Sequence, residues 1–293
     1  MAALMHAGLP ERYALGSSAH EHERLRRQAD IFRPATTQLL RNGGLAPGMR
    51  VLDAGCGVGD VALIAAELVS PGGAVVAVDR DPAVLARARA RCTELGAAGV
   101  TFVQADLHDL PDLGVFDAVV GRLVLMYARD PVALLRSLVR RVRPGGTVAF
   151  QEIDLASPMA LPEGPLYRQM FQWMVAAFQA AGADPRMGLK LFTVFRAAGL
   201  PSPELETTRF LGGGPDFFAY AQGAMVLRSL LPLIVAQGIA TAEEIDIDTL
   251  EERVRAETVA GGGVTDDAGE GVPDDIHRNS HQSRGRRLRH FVE

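Results

Sequence analysis

Five short apolar runs punctuate residues 50–154: "RVLDAG", "AVVAVD", "VTFVQAD", "FDAVVGRL" and "GTVAFQEID". Helical stretches at 59–69, 82–95 and 130–142 lie among them, and the third run leads into a loop. The runs are nearly continuous in apolar character, as expected of strands buried on both faces. Strands that alternate with helices form a parallel sheet covered on two sides. The expected fold class is therefore α/β, a doubly wound, Rossmann-like and mostly parallel sheet with helices on both faces and a helical cap. The turn "RPGG" is expected just before the fifth strand.

The flanks read differently. "SSAHEHERLRRQADIF" predicts a helix, with Ser18 and Glu21 in capping-box spacing, and a second short helix is expected from Pro34 to Arg41. After Ser157 the alternation stops. Leu166, Met170, Met174 and Phe178 follow at helical spacing, "GLKLFTVFRAAGL" predicts another helix, "ELETTRF" a strand, and 215–237 and 242–259 two more helices. The expected domains are an N-terminal helical segment, 1–45, closing over the site, and a core at 46–212 that includes a cap helix at 164–182. A C-terminal helical region, 213–262, and a disordered tail, 263–293, complete the chain.

Composition narrows the function classes. At 293 residues and 48% hydrophobic, the chain can bury a large core, and a net charge of −5 argues against a dedicated nucleic-acid surface. Two cysteines, Cys56 and Cys92, imply neither a disulfide framework nor a cysteine zinc site. No apolar run is read as reaching transmembrane length and no signal-peptide pattern is read at the start, so the expectation is a cytoplasmic protein without a membrane span.

The stretch "VLDAGCGVGD", Val51 to Asp60, carries the chemistry. A strand enters a turn containing Gly55, Gly57 and Gly59, and a helix follows. Such a turn brings backbone amides and a helix N-terminus close to a ligand. The spacing is G-x-G-x-G, tighter than the G-x-G-x-x-G of pyrophosphate-binding dinucleotide sites, and Asp53 precedes it. That combination suits a ligand without a pyrophosphate and with a cationic amino-acid end. Asp79, ending "AVVAVD", can accept hydrogen bonds from two ribose hydroxyls, whereas Asp81 fits the cap of the next helix. Asp106 and Leu107 in "VQADLHDLP" can hold an adenine amino group and cover its ring. Gly121 stands where the fourth strand meets the crevice.

These blocks, together with "VRPGG", resemble the class I S-adenosylmethionine-dependent methyltransferases over about residues 48–155. The start "YALGSSAHEHERLRRQA" is similar to ubiquinone/menaquinone-biosynthesis and secondary-metabolite enzymes of the small-molecule type. The resemblance implies S-adenosyl-L-methionine as cofactor and methyl transfer by in-line displacement to a small-molecule acceptor. It implies backbone contacts from Gly55, Cys56, Gly57 and Gly59. Asp53 would meet the amino end or orient the loop, Asp79 the ribose, and Asp106 with Leu107 the adenine, flanked by Arg80. Gly121 and Arg122 would lie beside the methionine portion, with Gln28 and Arg24 closing over it.

Acceptor-site candidates are Tyr13, Tyr127, Gln151, Glu152 and Asp154. Glu152 and Tyr13 are the catalytic candidates, Glu152 as a base or amine ligand and Tyr13 as cover for the transfer zone. His108 reads as a loop histidine, and His20 and His22, two apart on a helix, do not form a metal site. No metal is expected. The stripe at 166–178, with Trp173 on its flank, reads as core or as the lining of an apolar pocket. The last antiparallel strand usual in the family has no counterpart in "GGGVTDDAGEG"; either another segment replaces it, or the tail is altered and the sheet edge is left open, which would give an opening to a homodimer. Two alternatives stand beside this reading: a nicotinamide-dependent oxidoreductase, and a non-catalytic protein on a methyltransferase fold.

Overall fold

The computed structural model describes residues 19–157, 160–161 and 164–267. In chain order the elements are α1 (Ala19–Asn42), β1 (Arg50–Ala54), α2 (Asp60–Val69), β2 (Ala74–Asp79), α3 (Pro82–Glu94), β3 (Val100–Gln104) and β4 (Phe116–Arg122). A 3-10 turn (Leu125–Tyr127) precedes α4 (Pro131–Val139), β5 (Val142–Gln151), β6 (Ala160–Leu161), α5 (Pro165–Ala180) and α6 (Met187–Ala197). Then come β7 (Phe210–Gly212), α7 (Ala219–Ala236), α8 (Ala242–Ile245), α9 (Leu250–Ala260) and β8 (Val264–Asp267). The chain divides into two compact units. Among the described residues, one takes 28–157, 182–211 and 266–267, the other 19–27, 160–161, 164–181 and 212–265.

The first unit is built on the parallel sheet β3-β2-β1-β4-β5. Strand order reverses between β1 and β4, which opens a crevice beyond their C-terminal ends. The apolar runs at Val51, Val75, Ala77, Ala118 and Val120 bury against Val61, Ala62, Ile64, Ala65 and Val69 of α2. Because α2 is enclosed on nearly every side, it is apolar nearly all round. Each fully buried valine or isoleucine here contributes roughly 1.5–3 kcal/mol. That rigid wall fixes the height of the turn between β1 and α2. The start of α3 follows its sequence signals, with Pro82 in the first turn and the Asp81 carboxylate accepting from the amides of Ala83 and Val84.

Several expectations change. The two N-terminal helices are one, α1, with Pro34 inside it. Just past the proline, the Thr36 hydroxyl accepts a hydrogen bond from Arg122. Ser18 of the expected capping box lies outside the described residues. "RPGG" is not a turn before the fifth strand but part of β5, which begins at Val142 and shifts register against β4 between Phe116 and Ala118. Of "ELETTRF" only Phe210 is in a strand, and β7 runs on to Gly212. Among the described residues nothing pairs with the outer edge of β5.

The second unit is helical. Tyr167, Met170, Phe171, Met174 and Phe178 of α5 are buried, and a Cβ added to Gly223 of α7 would stand 2.6 Å from the Met170 side chain. The methionine–aromatic stripe therefore packs as core, with Trp173 buried beside it. In α7, Tyr220, Leu227, Leu230 and Ile234 are fully buried. By length and composition alone α7 is apolar enough to cross a membrane, contrary to the reading that no such run exists. Seven of its 18 residues are buried within the protein. The helix expected over 242–259 breaks at Asp246, whose left-handed backbone (φ 43°) ends α8. The tail expected to be disordered from 263 opens instead with β8, which pairs antiparallel with β6 in a small sheet of order β6-β8-β7. Residues 268–293 lie outside the described residues.

Candidate functional site

Gly55, Gly57 and Gly59 all take left-handed backbone angles, φ 69°, 53° and 86°. Side chains rarely adopt these values, so the glycines are what allows the chain to turn from β1 into α2. A Cβ at Gly55 would press within 2.8 Å of Val124, while one at Gly57 would meet open space. The turn is closed by the Gly59 amide donating to the Cys56 carbonyl at 2.9 Å, and joined to β2 by the Cys56 amide donating to Val78. The Cys56 thiol is buried, and burial pushes it far above the usual thiol range, so it is a packing group without nucleophilic character.

Asp79 stands at the end of β2. One oxygen accepts from the Gly57 amide at 3.0 Å and the other from the Asp81 amide at 3.0 Å. Each oxygen keeps a lone pair for a further donor, as a ribose diol would supply. Asp53 lies beneath the turn, fully buried, and neither carboxylate oxygen has a hydrogen-bond partner. Burial raises its pKa to about 7, opposed by the Arg122 charge and assisted by Asp79 and Asp60. An ionised carboxylate without partners in a protein interior is costly, so this one is suited to a cationic ligand group.

At the crevice rim, Asp106 is exposed and accepts from the His108 amide at 2.8 Å, Leu107 is half-buried, and Arg80 and His108 are exposed. Gly121 is buried, but its small size answers to a neighbour: an added Cβ would stand 2.6 Å from the Phe150 ring. Gln28 is half-buried on α1 and Arg24 is buried. Tyr127 is half-buried in the 3-10 turn, and Tyr13 lies outside the described residues. Asp154 turns one oxygen to the Ala156 amide and lies 4.0 Å from Arg209.

Glu152, expected as a base, is placed as a loop anchor. Its carboxylate accepts from the amides of Val124, Leu125 and Met126 at 2.9, 2.7 and 3.3 Å. Leu123, just before them, has φ 55°, a strained angle for a side chain of its size. Burial lifts Glu152 to about 7 although the three amides pull it down. A carboxylate so occupied positions the turn after β4.

Sequence reasoning missed a polar network around Asp60. Arg91 of α3 donates to one oxygen of Asp60, and Arg122 to the other at 3.0 Å. Asp60 had one visible signal, an acid in the first helical turn after the glycines, where the helix dipole favours negative charge. Arg91 and Thr36 had none, because their contacts depend on distant segments. Among the described residues there is no cluster of metal-ligating side chains.

A glycine turn at the switch point of a parallel sheet, with an acidic residue ending the second strand, defines the Rossmann-like class of adenosyl-cofactor-binding folds. Residues 45–190 match a family model described as a methyltransferase domain. The chain is 31% identical over 147 residues to a demethylmenaquinone methyltransferase of Lactococcus lactis, covering 50% of this chain and 55% of the relative. It is 38% identical over 113 residues to a ubiquinone/menaquinone biosynthesis C-methyltransferase of Ectopseudomonas mendocina, covering 38% and 44%. The chain thus spans about half the length of these curated relatives. In fold it is similar to a SAM-dependent methyltransferase from Aquifex aeolicus, with TM-score 0.51 and 18% identity over 66% of this chain and 94% of that one. Residues 45–190 thus form a class I S-adenosylmethionine-dependent methyltransferase domain. The site fits that family's cofactor on two observations, the unpartnered Asp53 carboxylate and the open space over Gly57.

Proposed function

We propose that this chain transfers a methyl group from S-adenosylmethionine to a small-molecule acceptor, in quinone or related secondary-metabolite chemistry. The observation that carries the reading is the left-handed Gly55–Gly59 turn, tied by Asp79 and lying above a buried carboxylate without partners. Support for the acceptor class comes from the quinone-biosynthesis names of the relatives and from the net charge of −5.

S-adenosylmethionine supplies an activated methyl group when bound. The chain's residues bind and orient. The amides of the glycine turn receive the methionine portion, Asp53 balances its ammonium, and Asp79 accepts from the ribose hydroxyls. Asp106 and Leu107 hold the adenine, with Arg80 at its flank, and Gly121 and Gln28 border the methionine end. Holding two reactants in line can lower the barrier by about 7–11 kcal/mol without any proton transfer. Glu152, engaged with three amides, supports this arrangement from behind the turn. An acceptor that is already a carbon acid or an ionised phenol suits a site organised this way.

Calorimetric titration with S-adenosylmethionine and S-adenosylhomocysteine tests the reading, with NADH as a control. Micromolar binding of both, weakened at least tenfold in Asp79→Asn, is the expected result. Binding of NADH alone would overturn it in favour of a nicotinamide enzyme.

A further inference from the structure

We propose that Arg122 is a positioning residue that ties the seating of α1 to the shape of the glycine turn, so that cofactor affinity depends on the Thr36 hydroxyl of α1. The inference rests on the cofactor reading above. Arg122 ends β4, and its guanidinium is nearly enclosed, with a side-chain exposure of 10%. One terminal nitrogen donates to Asp60 at 3.0 Å, and the other donates to the Thr36 hydroxyl at 3.2 Å. The guanidinium carbon lies 5.3 Å from the ring centre of Phe32, one helical turn before Thr36. The Thr36 oxygen stands 2.7 Å from the Gln151 side-chain oxygen and 2.9 Å from the Phe32 carbonyl, and its single proton serves one of them. Gln151 lies opposite Arg122 in the β4–β5 register.

On the far side of Asp60, Arg91 donates both to that carboxylate and to the Val58 carbonyl, the latter at 3.4 Å. The residues immediately before and after Gly59 are therefore both held. Val58 is gripped from α3, and Asp60 from α3 and β4 together. A planar guanidinium bonded to two different elements cannot follow one without leaving the other. Freeing one partner of a largely buried pair also leaves a charge without compensation. A shift of α1 at Thr36 must therefore act on Asp60 through Arg122, and Asp60 is the first residue of the helix whose N-terminus the turn presents.

Coupling of this kind is an energy and is measured by a double-mutant cycle. The readouts are the S-adenosylhomocysteine dissociation constant and the melting temperature of the ligand-free full chain. Thr36→Val, which removes only the hydroxyl, is expected to weaken binding about three- to tenfold. Thr36→Ser restores it. Arg122→Met weakens binding at least as much, and adding Thr36→Val to it changes affinity less than about twofold. Asp60→Asn behaves like Arg122→Met and replaces it in the cycle with Thr36→Val should Arg122→Met not fold. A lower melting temperature with unchanged affinity in Thr36→Val would reduce the contact to helix packing and overturn the inference. So would fully additive effects, or a loss confined to Arg122→Met, which would mark direct contact with the cofactor. Failure of the unsubstituted protein to bind would instead remove the cofactor reading itself, and this inference with it.

Discussion

Asp53 sits in register between Ala77 of β2 and Val120 of β4, where a hydrophobic residue would be expected in a central strand. Its pKa rises from 3.8 to about 7, so between those values the native state holds a proton that the unfolded chain has lost. Stability contributed by this group is fully present below about pH 4 and is lost as pH rises through about 7. Asp53→Asn removes the ionisation. At pH 8 the variant is expected to be more stable than the parent by about 2–4 kcal/mol, and at pH 4 by close to nothing. Urea denaturation at the two pH values checks this; an equal difference at both would show that burial of charge is not the cause. The acid was legible in the sequence as part of "VLDAG", but its lack of partners was not. Partners are decided by what other strands bring alongside.

At the scale of elements, helix α5 shows how far local signals reach. Its apolar spacing was readable, and so was its start near Pro165, yet it has no side-chain cap of its own at Gly164. The cap comes from α9, where the two oxygens of Glu257 accept from the amides of Leu166 at 3.0 Å and Tyr167 at 3.1 Å. Removing it in Glu257→Ala is expected to cost about 1–2 kcal/mol. Hydrogen exchange at the amides of Leu166 and Tyr167 should quicken more than at the middle of α5. Uniform exchange along the helix would contradict a capping role. The same contrast explains the strands. β1 to β4 were legible because each is a short apolar run, while β8, "VTDD", carries no apolar pattern and is defined by its pairing with β6. The end of α8 at Asp246 was equally hidden, since a left-handed aspartate has no periodic signature.

For the molecule as a whole, a ligand that binds only the native state raises its stability by mass action. S-adenosylhomocysteine at one hundred times its dissociation constant should add about 2.7 kcal/mol, a rise in melting temperature of roughly 4–5 °C for a chain of this size. A far-ultraviolet circular dichroism melt repeated across ligand concentrations checks this, and a midpoint independent of concentration would contradict binding to the native state. Trp173 is the sole tryptophan and belongs to the helical unit, so its emission follows that unit while circular dichroism follows both. The division into units was less legible than the sheet. Among the described residues the helical unit is assembled from 19–27, 160–161, 164–181 and 212–265, and no composition shift marks segments that far apart as one body.

That interleaving has a consequence for synthesis. All five strands of the parallel sheet lie before residue 152, so the sheet can pair while the rest of the chain is still being translated. Helix α5 has no such freedom, because Leu166 waits for Glu257, 91 residues later. At roughly 5–20 residues per second, that carboxylate follows about 5–20 s behind. For that interval the nascent chain presents Met170, Phe171, Met174 and Phe178 without the helices that cover them, an apolar stretch of the kind a chaperone holds.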